Sequence, residues 1–175
     1  MKTLYLFRHA KSSWDDSRLA DEERPLTPKG IKNTLVVAEH LLNQGIRPEL
    51  MISSHAVRAY ETAVLIAKVL GYPKEQIRVD RKIYDGYFDR ILDIIYGTPN
   101  DIGSLMIIGH NPTITQLANL LLDPGIPEMR TSAVVAIRFY TGQWESLPMS
   151  KVEKEFHVYP KLLKHEEEKE RHRAS

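Results

Sequence analysis

Apolar and polar positions along this chain fall into two regimes: short unbroken apolar runs, and longer stretches in which apolar residues recur every three or four positions. Leu4 to Phe7 is a run of the first kind, as in strands covered on both faces of a parallel sheet, and it ends at Arg8 and His9. A polar stretch follows from Lys11 to Pro25. Thr27 and Pro28 then signal a helix start, a capping hydroxyl before a residue preset for the first helical position. Ile31, Leu35, Ala38 and Leu42 repeat at helical spacing as far as Gly45. The pattern recurs: Leu50 to Ile52 predicts a strand, Ser53 and Ser54 follow it, and a helix runs from about Ala56 to Leu70 before Gly71 and Pro73 close it.

Ile77 to Asp80 predicts a short strand, and Phe88, Ile91, Leu92 and Ile95 form the apolar face of a helix that stops at Gly97, Thr98 and Pro99. Leu105 to Ile108 is the next buried strand. Gly109-His110-Asn111-Pro112 leads into another helix, with Asn111 as its cap, Pro112 in its first turn, and Ile114, Leu117, Ala118 and Leu121 facing inward. Ala133 to Phe139 is the last clear strand, expected near a sheet edge because Arg138 interrupts it. The patterning weakens beyond Pro148, and Lys161 to Ser175 is almost wholly charged, either a solvated terminal helix or a frayed tail. Strands alternating with helices predict an α/β fold, a three-layer sandwich with a mostly parallel central sheet flanked by helices. One domain over residues 1–160 and a charged tail over 161–175 are the expected organisation.

Composition narrows the chemistry. With 24 basic and 23 acidic residues the formal charge is +1, without the basic excess of a nucleic-acid binder. The absence of cysteine excludes a disulfide framework, thiolate-held zinc and a nucleophilic thiol. No run approaches the ~20 apolar residues of a membrane span, and the first apolar run breaks at Arg8 without a signal-peptide core. The expectation is a cytoplasmic protein that binds neither membrane nor nucleic acid.

In an open α/β sheet ligands bind beyond the carboxyl ends of the strands, and neighbouring strands lie only about 4.8 Å apart. Residues at several strand ends therefore converge. Here they are Arg8 and His9, Arg58 in the first turn of the second helix, and His110 just ahead of a later one. A neutral imidazole can attack phosphorus, since its unperturbed pKa lies near 6.5. A backbone carbonyl accepting from Nδ1 of His9 would leave the Nε2 lone pair free. Arg8 and Arg58 offer forked, permanently charged donors suited to phosphate oxygens. Arg58 also opposes the dipole of its own helix, a placement that makes sense beside a bound anion. His110 adds a donor near free helix N–H groups.

Taken together, Arg8-His9, Ser53-Ser54 followed by Arg58-Ala59 and Thr62-Ala63, and Gly109-His110 make the chain resemble the histidine phosphatase superfamily, with its phosphoglycerate mutase-like fold. More narrowly it resembles the SixA-type phosphohistidine phosphatases, through Arg24-Pro25-Leu26-Thr27-Pro28-Lys29-Gly30 and Gly109-His110-Asn111-Pro112. The resemblance runs from residue 4 to about residue 139. It implies a phosphate pocket of Arg8, His9, Arg58 and His110, with His9 phosphorylated in turnover. It also implies a hydroxyl near the phosphate at Ser12, no metal or other cofactor, and a phosphohistidine-containing protein or peptide as substrate.

Two positions depart from that pattern. Ala10 stands where glycine commonly follows the nucleophile. Relatives acting on alcohol phosphates place a glutamate, as general acid, after the third strand, where this chain reads Arg81-Lys82-Ile83-Tyr84-Asp85-Gly86. Asp85 is the nearby candidate, although a carboxylate before glycine reads more readily as a turn residue. A phosphatase for small phosphate esters is the alternative within enzymes. A phosphate-binding module without turnover would not need His9, and a metallohydrolase would need a carboxylate beside His9, His55 and His110. Trp14 can cover the pocket rim or staple its own loop. His40, His157, His165 and His172 lie on elements that make them poor ligand candidates.

Overall fold

In the computed structural model, which describes residues 1–175, the first apolar run becomes β1 (Lys2–Arg8). Its alternation sends Leu4 and Leu6 to one face of the sheet and Tyr5 and Phe7 to the other, all four buried. The chain continues through α1 (Pro28–Asn43), β2 (Leu50–Ser53), α2 (Val57–Leu70), β3 (Arg78–Val79), α3 (Lys82–Asp85) and α4 (Phe88–Tyr96). It then forms β4 (Ser104–Gly109), α5 (Thr113–Leu121), β5 (Val134–Phe139), β6 (Val152–Val158) and α6 (Pro160–Ala174). Short 3-10 turns occupy Asp21–Glu23, Lys74–Gln76 and Trp144–Met149.

The six strands form one sheet in the order β3-β2-β4-β1-β5-β6. β1 is parallel to β4, β4 to β2 and β2 to β3, whereas β5 runs antiparallel to both neighbours. The sheet is therefore mostly parallel, with helices on both faces. The residues of α1 and α2, with Leu163 of α6, pack with Tyr5, Phe7, Met51, Met106 and Ile108 on one face. Those of α4 and α5, with Trp144, pack with Leu4, Leu6, Leu105, Ile107 and Ile137 on the other.

Helix ends follow the sequence signals where backbone chemistry decides them. Thr27 caps α1 by accepting from the Gly30 N–H at 3.0 Å, with Pro28 at the first position. Gly71 closes α2 in the left-handed region, at φ 72°. Other expectations are corrected. β5 lies near the sheet edge, as expected, but one unanticipated strand, β6, covers its outer side, where Arg138 is matched by Glu155. β6 carries a weak apolar signal because it is the edge strand and several of its residues face solvent. The buried stripe of α1 is Gly30, Thr34, Val37, Ala38 and Leu41, while Ile31 is exposed and Leu35 and Leu42 are half-buried. Gly30 sets that rotation, since a Cβ there would lie 2.4 Å from the Lys11 carbonyl oxygen. Asn111 does not cap α5. Its amide instead donates to the Met129 carbonyl at 2.8 Å and accepts from the Thr115 hydroxyl at 2.7 Å, and the helix starts at Thr113. Residues 161–174 are helical, with Leu163 buried and everything from His165 onward exposed.

Candidate active site

The C-terminal ends of β1, β4 and β2 deliver Arg8-His9, Gly109-His110 and Ser53-Ser54 to one crevice. The His9 backbone is gripped from both sides. Its N–H donates to the Gly109 carbonyl at 3.0 Å, and the Ser132 N–H reaches the carbonyls of Arg8 and His9 at 3.1 and 3.3 Å. Ser132 is buried and left-handed at φ 60°, and its hydroxyl shares a 2.9 Å hydrogen bond with Thr34 of α1. That conformation is sparsely populated for a non-glycine residue, so the surrounding contacts must hold it.

Nδ1 of His9 lies 2.7 Å from the Ala10 carbonyl oxygen, an acceptor, so Nδ1 carries the proton. Ala10 is in turn fixed by its N–H, which donates to the Thr62 hydroxyl at 3.0 Å. Nε2 is then the unprotonated nitrogen, and it faces Nε of Arg58 at 3.4 Å. Burial holds the His9 imidazole down at about 4; the charges of Arg58, Arg8 and Arg24 add to this, and the bond to Ala10 opposes it. His9 is therefore neutral at pH 7. The His110 ring lies 5.0 Å away, its Nε2 2.8 Å from the Ser54 hydroxyl. Burial and the neighbouring His9 and Arg58 push His110 down to about 3. Arg8 turns one nitrogen to the Met129 carbonyl at 2.8 Å and keeps a buried Nε without a partner.

A second layer of groups surrounds these. The Asp21 carboxylate accepts from Nη2 of Arg58 at 2.9 Å, from the Tyr84 hydroxyl at 2.8 Å and from Nε of Arg24 at 3.2 Å, and its backbone carbonyl takes Nη1 of Arg58 at 2.7 Å. Burial raises the Asp21 pKa, but the bonds from Tyr84 and Arg58 and the charges of Arg58 and Arg24 outweigh it and bring the carboxyl down to about 2. Arg24, itself buried, donates to the Ser12 hydroxyl at 2.9 Å and lies under the exposed Trp14 ring at 3.4 Å from its centroid. Trp14 thus packs on the guanidinium that also holds Ser12 of its own loop. Glu22 and His55 face each other across 2.5 Å, with Tyr84 edge-on between His55 and His110 at ring separations of 5.0 and 5.3 Å.

The structure brings Arg8, His9, Arg58 and His110 together and places Ser12 one step outward, engaged by Arg24. Asp85 lies at the exposed end of α3, its carboxylate 3.5 Å from Nε of Arg81. Sequence reasoning misses Asp21, Glu22 and Tyr84. Their signal is the acidic cluster Asp21-Glu22-Glu23 beside Arg24, which in a polar stretch reads as a solvated loop. No group of three histidine, cysteine or carboxylate side chains is arranged to hold a metal ion, and no helix is long and apolar enough to cross a membrane.

The sequence model of the histidine phosphatase superfamily (branch 1) matches residues 4–91. The chain belongs to this superfamily. An uncharacterized chloroplastic protein of Arabidopsis thaliana is 33% identical over 153 residues, covering 82% of this chain and 69% of that protein. Among solved structures, the protein histidine phosphatase SixA complexed with tungstate superposes with a TM-score of 0.79 at 22% identity, over 92% of this chain and 99% of that one. The SixA of Agrobacterium tumefaciens gives 0.73 at 23%, over 91% and 98%. The histidine phosphatase fold and phosphatase activity follow from this membership. His110 lies beyond residues 4–91, so the crevice is completed by a part of the chain outside that match.

Proposed function

We propose that this histidine phosphatase hydrolyses phosphohistidine in proteins or peptides, without a metal ion, through a phosphohistidine formed on its own His9. Nε2 of neutral His9 attacks phosphorus in line, and the N–P bond of the substrate breaks as the His9–P bond forms. Arg8, Arg58 and His110 hold the equatorial oxygens, with Arg24 and the Ser12 hydroxyl at the outer edge. Water then attacks the His9 phosphoryl group and releases phosphate. Two fixed guanidinium groups offset the negative charge of the phosphoryl oxygens, the task a metal cation performs in other phosphatases. The reading includes a cytoplasmic location, in keeping with a chain that uses no cysteine.

The observation that carries the substrate class is the state of Asp21. It is the carboxylate bonded directly to Arg58, and its bonds from Arg58, Arg24 and the Tyr84 hydroxyl commit it as an ionised acceptor rather than a proton donor. Asp85 is turned toward Arg81. An alkoxide leaving group needs a positioned acid. A phosphohistidine imidazole, protonated on its other nitrogen, leaves neutral without one. The test is kcat/KM on a phosphohistidyl peptide against its phosphoseryl counterpart, with acid quenching to detect the acid-labile phosphoenzyme. The phosphohistidyl peptide is expected to lead by at least a hundredfold, and His9→Ala to abolish both turnover and label; comparable rates on phosphoserine would overturn the substrate assignment.

One feature favours a second reading. The hydrogen-bonded Glu22–His55 pair stands on the Tyr84 side of the crevice and can carry a proton to a departing oxygen. If this is an ester phosphatase, Glu22→Gln will lower turnover of alkyl phosphates far more than that of p-nitrophenyl phosphate, whose leaving group needs no acid.

A further inference from the structure

Beside the crevice runs a groove of about 610 Å³ between the start of α1, the segment ahead of β5 and the start of α6. Lys29, Arg130, Lys161 and Lys164 line it, with His165, against the single carboxylate of Glu168. None of these four cations takes part in an ion pair of the protein. Lys164 is oriented by the Asn33 side-chain oxygen at 2.7 Å, and Arg130 lies over the Tyr159 ring at 4.6 Å. The chain as a whole is nearly neutral, so this is sorting rather than excess. The other flank of α6 lines a separate groove with Glu39, Glu166, Glu167 and Glu170.

The placement works against the helices themselves. Lys29 and Lys161 stand in the first turns of α1 and α6, where the dipole disfavours a cation and neither first turn holds an acidic residue. Unpaired, dipole-opposed cations around a concavity are relieved by a polyanion. The groove also opens at the catalytic end of the sheet. β6 ends at Val158 opposite Val134, and Arg130 directly follows Met129, whose carbonyl binds both Arg8 and Asn111. The groove and the crevice thus share one end of the sheet, and an extended peptide, advancing about 3.3–3.6 Å per residue, can run from one toward the other.

We infer that the cationic groove lined by Lys29, Arg130, Lys161 and Lys164 docks an acidic segment of the protein substrate that lies near its phosphohistidine in sequence. The inference deepens the proposed function and rests on it for the identity of the substrate. Electrostatic complementarity of this kind acts on encounter and on selection among substrates, so it should appear in KM and leave kcat alone.

The test uses the full chain and two phosphohistidyl peptides that share a core, one with a run of aspartate and glutamate near the histidine in sequence, the other with serine and glutamine there. The acidic peptide is expected to show a KM at least tenfold lower at low salt with equal kcat, and the gap to close as salt rises. Lys29→Glu combined with Lys161→Glu should erase the gap and leave kcat/KM on the neutral peptide unchanged. Both side chains are exposed and glutamate suits a helix's first turn, so the fold is not at risk. Equal KM values in the wild-type protein, or a gap that survives the double substitution, would overturn the inference. Direct titration with the unphosphorylated acidic peptide separates the two readings. Binding that the double variant loses, without hydrolysis of either phosphopeptide, keeps the groove and removes the phosphohistidine assignment; binding that inorganic phosphate displaces places the peptide in the crevice and removes the groove.

Discussion

Among single side chains, Asp21 holds a position disproportionate to its exposure. Nearly half of its side chain is open to solvent, yet it fixes the buried guanidinium groups of both Arg58 and Arg24 and the hydroxyl of Tyr84. Asp21→Asn keeps the shape and removes the charge. Bonds to charged groups contribute on the order of 1.5–3 kcal/mol each to folding, so the thermal midpoint should fall, and kcat/KM should fall roughly tenfold or more because Arg58 loses the group that aims it. Steady-state kinetics beside a melting curve check this, and an unchanged rate would release Asp21 from its positioning role. A second expectation concerns His9. A nucleophile held at about 4 stays competent well below pH 6.5. Once substrate ionisation is allowed for, the acid limb of kcat/KM, which reports the free protein, should therefore fall near pH 4 and be absent near 6.5. The basic half of this site is legible in the sequence because Arg8, His9 and His110 sit where apolar runs stop and Arg58 opens the helix that follows another. The acidic half is not, because Asp21 and Glu22 occupy a polar stretch whose meaning depends on where it folds back.

At the scale of elements, the polar stretch between β1 and α1 is held by contacts that composition does not announce. Gly30 lets α1 approach Lys11, directly after Ala10. Gly30→Ala forces a Cβ into a backbone oxygen, which cannot yield as a side chain end can. Overpacking of this kind costs about 1–3 kcal/mol, and the expected outcome is a lower thermal midpoint together with a lower kcat, since the strain falls on the nucleophile's own loop. Chemical denaturation and turnover measured on one preparation test both; a stability loss with kcat intact would separate α1 from the catalytic loop. The sequence anticipates every helix that carries an apolar stripe and the strands buried on both faces. It does not anticipate β6, whose outer face is wet, or α3, a single turn too short to show a period. β5 is legible as a strand near the edge, but the partner that covers Arg138 is the strand that escapes notice.

For the molecule as a whole, the site is bound to folding through its histidines. Both are held neutral by burial, so between about pH 6.5 and about 4 the unfolded chain binds more protons than the folded one. Stability is full above pH 6.5 and is lost as the pH falls toward 4, with His9 alone accounting for on the order of 3 kcal/mol. His110, held at about 3, extends the loss further down. The thermal midpoint should decline steadily across that interval, and the decline should be shallower in His9→Asn; a flat profile in the wild-type protein would contradict it.

Sheet order carries a consequence in time. β1, the first of the sheet's strands to be synthesised, lies in the middle of the finished sheet, between β4 and β5, which begin at Ser104 and Val134. The strand that presents His9 thus waits for more than half the chain before it gains either neighbour. Pairings so distant in sequence make for slow folding and a long exposure of unpaired edges. Until β4 and β5 are made, the growing chain carries its nucleophile on an apolar strand with two open edges, and the crevice cannot yet assemble.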